Sequence, residues 1–112
     1  MEATLEVIDA MPELDAEGYL VEPGEWNEEV ARELARRIDI DLSDEHWEVL
    51  RFMRGYYEEH QVSADARHVI KHLERRGVGD GRNHLFGLFP YGYVAQACKI
   101  AGMKRPRAWS TG

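Results

Sequence analysis

The chain has 112 residues with a formal net charge of -7, 44% hydrophobic and 31% charged residues, and one cysteine. That length predicts a single domain over 1–112 and leaves no room for a large catalytic domain with a regulator attached. No run approaches the ~20 apolar residues of a membrane span, and Met1–Glu6 lacks the basic start and apolar stretch of a signal peptide, so a cytoplasmic protein is expected. With Cys98 alone, an internal disulfide framework and any CxxC motif made within the chain are excluded.

Charge is unevenly spread. Residues 1–60 hold 18 acidic and 5 basic side chains, and residues 61–112 hold 3 acidic and 9 basic ones. This asymmetry has two readings: a docking face for an anionic partner, nucleic acid included, or two halves that complement each other in the fold.

Leu5–Ile8 and Gly18–Val21 carry strand-like residues on either side of a polar stretch, and together they predict an N-terminal β-hairpin. Pro23-Gly24 breaks the chain. Asn27 then caps a first helix with Glu28 and Glu29 in its opening turn and Val30, Leu34 and Ile38 on one face. A second helix starts at Ser43, turns Trp47, Leu50, Met53 or Arg54, and Tyr57 inward, and runs to about His60. A third begins at Ser63, with Ala66, Val69, Ile70 and Leu73 inward and a largely basic outer face, and ends at Gly77 and Gly79. Helices two and three form a helix-turn-helix-like pair.

After a turn at Asp80–Asn83, a short apolar segment from His84 to Phe89 leads to Pro90, and a last helix runs from about Tyr93 to Ala101. Residues 103–112 have no helical period and read as a C-terminal arm. The fold class is therefore mostly α (α+β): a small hairpin, an orthogonal helical bundle and an arm.

Cys98 is the one strong nucleophile. Lys99, with Lys104, Arg105 and Arg107 nearby in sequence, would favour its thiolate. Its place on a stripe with Val94 and Ala101 predicts burial instead, and spacing favours that reading. His68 and His72 are four residues apart on one helix, but no glutamate completes an HExxH motif, and no metal site is expected. His46 reads as structural, and His60 as a favourable charge at a helix C-terminus. Gly77–Gly81 matches neither a dinucleotide nor a phosphate-loop motif and reads as a turn. No acid–base constellation or cofactor motif accompanies the thiol, so neither autonomous turnover nor a cofactor is expected.

The run Ser43–Phe52, Tyr56-Tyr57, and above all Leu88-Phe89-Pro90-Tyr91-Gly92 followed by Gln96-Ala97-Cys98-Lys99-Ile100-Ala101-Gly102, closely resemble the DsrC/TusE family of sulfur-relay proteins. Glu17-Gly18-Tyr19-Leu20 extends the resemblance toward the N-terminus. It implies the same hairpin, helical bundle and arm, and partners in sulfur metabolism: a sulfite reductase, a sulfurtransferase or a heterodisulfide-reductase-like complex. In the family the carrier thiol is a penultimate cysteine on the arm, and DsrC has an earlier one in a Gln-Ala-Cys motif. Cys98 matches the earlier one, Trp109 falls where the carrier would be, and Gly92-Tyr93-Val94-Ala95-Gln96 departs from the family's Gly-Pro-Ala-Lys-Gln.

Two functions follow from the resemblance. In one, Cys98 accepts sulfur or forms a mixed disulfide. In the other, the protein is a non-catalytic binding or regulatory member, docking through Lys99, Lys104, Arg105, Arg107 and the aromatic anchor Trp109, or contacting DNA phosphates through Arg67, Lys71, Arg75 and Arg76.

Overall fold

The computed structural model describes residues 11–104. It contains α1 (Glu28–Arg37), α2 (Asp44–His60), α3 (Ala66–Arg75), α4 (Gly81–Leu88) and a π-helical segment, Tyr93–Cys98, after a single 3-10 turn at Pro23–Glu25.

Local chemistry sets the helix starts. The Asn27 side chain accepts from the Val30 N–H at the head of α1, and Ser43 does the same for His46 at the head of α2, where the His46 ring returns the bond to the Ser43 N–H. The α3 start differs from expectation. Asp65, not Ser63, is the cap, in a reciprocal box with His68, while the Ser63 hydroxyl donates to the Lys104 carbonyl at 2.9 Å. Gly77 (φ 103) ends α3, with the Gly77 and Val78 N–H groups bonded back to Glu74 and Leu73.

The expected hairpin is corrected. Among the described residues there is no strand, only an isolated antiparallel bridge between Leu14 and Leu20. The Asp15 carboxylate accepts from the Glu17 and Tyr19 N–H groups, each at 2.9 Å. A side chain thus takes a bond that a longer ladder would use, and the 13–21 segment closes as a turn around Gly18. Leu5–Ile8, the other half of the expected hairpin, lies outside the described residues.

The apolar segment before Pro90 is a helix, α4, capped by Asp80. It packs closely on α3, since a Cβ at Gly81 would come 2.8 Å from the Ile70 carbonyl oxygen. The final helix is π-helical through Cys98, not α-helical throughout, and it stops at Gly102 (φ 72), where the Gly102 and Met103 N–H groups bond to the Lys99 and Cys98 carbonyls. Met103 is fully buried, so the start expected for the arm belongs to the core; residues 105–112, the rest of it, lie outside the described residues.

One apolar cluster joins the elements: Val49, Leu50 and Met53 from α2, Val69 and Leu73 from α3, and Phe89, Tyr93, Ala97, Cys98 and Ile100 from the C-terminal part. Of the inward set expected for α2, Trp47 and Tyr57 are only half-buried. Trp47 sits at the rim under the Arg32 and Arg51 guanidiniums.

Candidate functional site: the buried thiol and its surroundings

Cys98 closes the π-helical segment and is 0% exposed. A π-turn places residues five apart over one another, so the Tyr93 ring lies beside it. The Tyr93 hydroxyl donates to the carbonyl of Ala64, in the α2–α3 connection, and both residues are buried. Burial pushes the Cys98 thiol up to about 12, and the Tyr93 hydroxyl only partly offsets this. The same burial raises Tyr93 well above an ordinary phenol, with the neighbouring Cys98 adding to the shift. In this closed form the sulfur is a small apolar core atom, as its stripe with Ala101 predicts.

Of the cations expected to activate it, Lys99 is turned elsewhere. The Lys99 ammonium stands 5.2 Å from the centre of the Tyr19 ring, and the Tyr19 hydroxyl in turn donates to the Val94 carbonyl at 3.0 Å. Lys104 is exposed at the other end of the segment. Arg105, Arg107 and Trp109 lie outside the described residues.

Three residues absent from the sequence-based site hold the segment in place. The Trp26 indole N–H donates to the Ile100 carbonyl at 2.8 Å. Arg54 donates to the Ala101 carbonyl and to Pro23, each at 3.0 Å, with its guanidinium 4.7 Å above the Trp26 ring. Gln96 reaches back to accept the Tyr91 N–H at 2.9 Å. Trp26 and Arg54 satisfy terminal helix carbonyls that would otherwise lack partners. The only sequence signal was Arg54 itself, a cation at an inward-facing position of α2. Tyr91, between Pro90 and Gly92, is 83% exposed.

The basic face of α3 is partly neutralised. Arg67 pairs with Asp65 at 3.0 Å and Arg76 with Glu48 at 3.3 Å, leaving Lys71 and Arg75 exposed. His68 and His72 diverge: His68 belongs to the Asp65 cap, whereas His72 bonds Glu48 at 2.8 Å and stacks on Phe52 at 4.2 Å. Among the described residues no group of three or more histidine, cysteine or acidic side chains could hold a metal ion. His46 is structural: its Nδ1 accepts the Ser43 N–H, which leaves Nε2 protonated to donate to the Leu88 carbonyl at 2.9 Å. The His60 ring packs on Tyr56.

The "DsrC like protein" family model matches residues 6–108. The sulfurtransferase TusE of Escherichia coli K12 is 43% identical over 96 residues, covering 84% of this chain and 88% of that protein. A TusE homolog of Haemophilus influenzae is 41% identical over the same length, with the same coverage. The crystal structure of the oxidized gamma-subunit of the dissimilatory sulfite reductase (DsrC) from Archaeoglobus fulgidus superposes with a TM-score of 0.77 at 35% identity, over 85% of this chain and 89% of that one. With the Leu88–Gly92 and Gln96–Gly102 motifs built into one buried segment around Cys98, the chain belongs to the DsrC-like family of sulfur-relay proteins.

Proposed function

We propose that the protein serves a sulfur-relay system as a docking member whose single thiol is held closed in the free state. Its family body engages a sulfurtransferase, a sulfite reductase or a related complex, in a cytoplasmic setting. The observation that carries this reading is Cys98: it is the one sulfur nucleophile in the sequence, it is 0% exposed, and burial pushes its thiol to about 12. A persulfide carrier needs a reachable thiolate, which attacks a polysulfide, keeps one sulfur as Cys–S–S⁻ and releases the chain shortened by one sulfur. In the closed form Cys98 offers neither thiolate nor access.

The second reading keeps Cys98 as a persulfide or mixed-disulfide site that a partner opens. The relatives' own roles as a sulfurtransferase and a sulfite reductase subunit favour it. Contact with DNA is not adopted, because Arg67 and Arg76 are already paired with carboxylates.

Intact-mass spectrometry after polysulfide exposure separates the two readings, with a Cys98→Ala control, a denatured control, and a sample mixed with a candidate sulfurtransferase. The docking reading expects a sulfur adduct on the denatured chain only. An adduct on the native chain alone overturns it, and one that appears only with the partner establishes the opened-site reading.

A further inference from the structure

We infer that Tyr93 is the latch of the closed thiol: its hydroxyl ties the start of the Cys98 segment to the α2–α3 connection, and release of that bond lets the sulfur out. The inference rests on the closed-thiol reading above and names what regulates it.

The two ends of the segment are held by different means. At the far end Trp26 and Arg54 donate to the Ile100 and Ala101 carbonyls, and the Gly102 and Met103 N–H groups close the last turn. At the start no side chain caps the helix, and Gly92 leads into it with φ 112°. Gln96 bonds Tyr91 within the same stretch, and Tyr19 reaches the Val94 carbonyl from the N-terminal part of the chain. Among the described residues, the bond from this start into the α2–α3 connection is that of the Tyr93 phenol.

The connection has little else to hold it. Among the described residues Val62, Ser63 and Ala64 make no backbone–backbone hydrogen bond. Their polar ties are the Ser63 hydroxyl, bonded to the Lys104 carbonyl, and the Ala64 carbonyl, which accepts from Tyr93. Gln61 has a left-handed backbone (φ 61), and Val62 is 43% exposed, whereas Ala64 is fully buried. Such a stretch opens locally at low cost. When it moves, the phenol loses its acceptor in a buried place where an unpaired hydroxyl is costly, so Tyr93 leaves with it. The π-turn sets Tyr93 beside Cys98, so departure of the ring uncovers the sulfur while Trp26 and Arg54 keep the far end in place. Tyr93 stands where the family's Gly-Pro-Ala-Lys-Gln has proline, which carries no hydroxyl, so the latch is a feature of this chain.

The test measures the rate at which dithiobis(nitrobenzoate) labels Cys98 in the native full chain at low urea, together with hydrogen–deuterium exchange of peptides spanning 61–65 and 93–98. Tyr93→Phe removes the hydroxyl and keeps the ring, and Glu33→Gln, on α1, serves as the control for general destabilisation. The latch expects Tyr93→Phe to label about tenfold faster without urea, the share of one buried hydrogen bond, with little dependence on urea and with exchange rising over both stretches together. A labelling rate that rises only as far as the variant's own urea unfolding accounts for, as in Glu33→Gln, overturns the inference. So does faster exchange over 93–98 with 61–65 unchanged. A parent protein that labels as fast in the native as in the denatured state is a separate result, which removes the closed thiol itself and the latch with it.

Discussion

Arg54 of α2 donates to the carbonyl oxygen of Ala101 at 3.0 Å, forty-seven residues on, and thereby fixes the end of the segment that buries Cys98. Its second arm reaches the Pro23 carbonyl, and its plane covers Trp26, so one half-buried cation ties three parts of the chain together. Burial lowers its pKa from the ordinary arginine value, a cost that these bonds offset. Arg54→Ala leaves the Ala101 carbonyl without a donor, strips the Pro23 carbonyl down to its bond from the Trp26 N–H, and should cost about 2–3 kcal/mol in urea unfolding. Arg54→Lys should recover only part of that, because an ammonium cannot form the fork or lie flat on the indole. Full recovery by lysine would show that charge alone is at work.

Gly102 and Gly77 separate backbone strain from crowding. Both have positive φ, 72° and 103°. A Cβ at Gly102 would lie 2.6 Å from the Trp26 Cδ1, whereas one at Gly77 meets nothing within 4 Å. Gly77→Ala should cost about 1 kcal/mol from the left-handed conformation alone. Gly102→Ala should cost about 2–3 kcal/mol because the indole that bonds Ile100 must also shift. Thermal unfolding of the two variants checks this, and equal losses would remove the Trp26 contact from the account.

What could be read in the sequence was local. Asn27 and Ser43 announce their helices because a cap is made within three residues, and the apolar stripe of α2 follows from its period. Asp65 carries a weaker cap signature because the residue that closes its box is His68, not the glutamate or glutamine usual at that place. The α4 helix, with glycine at 81 and 87 and a proline beyond, is weak on propensity; it exists because Asp80 caps it and Gly81 fits against α3, the latter a tertiary fact. The π-turn that brings Tyr93 to Cys98 has no signature in an apolar pattern. Nor do Trp26 and Arg54, whose partners lie 74 and 47 residues away.

Burial of Cys98 predicts slow thiol chemistry. A shift from 9.0 to about 12 leaves about a thousandfold less thiolate at neutral pH, so disulfide reagents should react with the native protein at least that much more slowly than with the denatured chain. Because the folded state favours the protonated thiol, it gains stability that is fully present below pH 9.0 and is lost as pH rises from there to about 12. Cys98→Ala removes this dependence, and its alkaline unfolding curve should fall less steeply over that window. Tyr93, raised for the same reason, leaves a residual slope in both proteins. Native reactivity equal to the denatured rate would show that the closed form is not the one in solution.

Glu33 gives the opposite sign at acid pH. Its carboxylate is 7% exposed, accepts from Arg36 at 3.0 and 2.7 Å and from Arg37 at 2.9 Å, and is held at about 2 instead of 4.5. The hydrogen bonds from Arg36 and then Arg37 are the main cause, working against the cost of burial. A depressed carboxyl stabilises the fold above pH 4.5, and that stability is lost as pH falls to about 2. Glu33→Gln keeps the shape and removes the charge, so it should unfold earlier in urea at pH 7, with the gap from the parent protein closing between pH 4.5 and 2. Other acidic groups titrate alike in both proteins and cancel in that difference. A gap that stays constant through the window would mean that Glu33 acts by packing, with the two arginines as solvent-side neighbours.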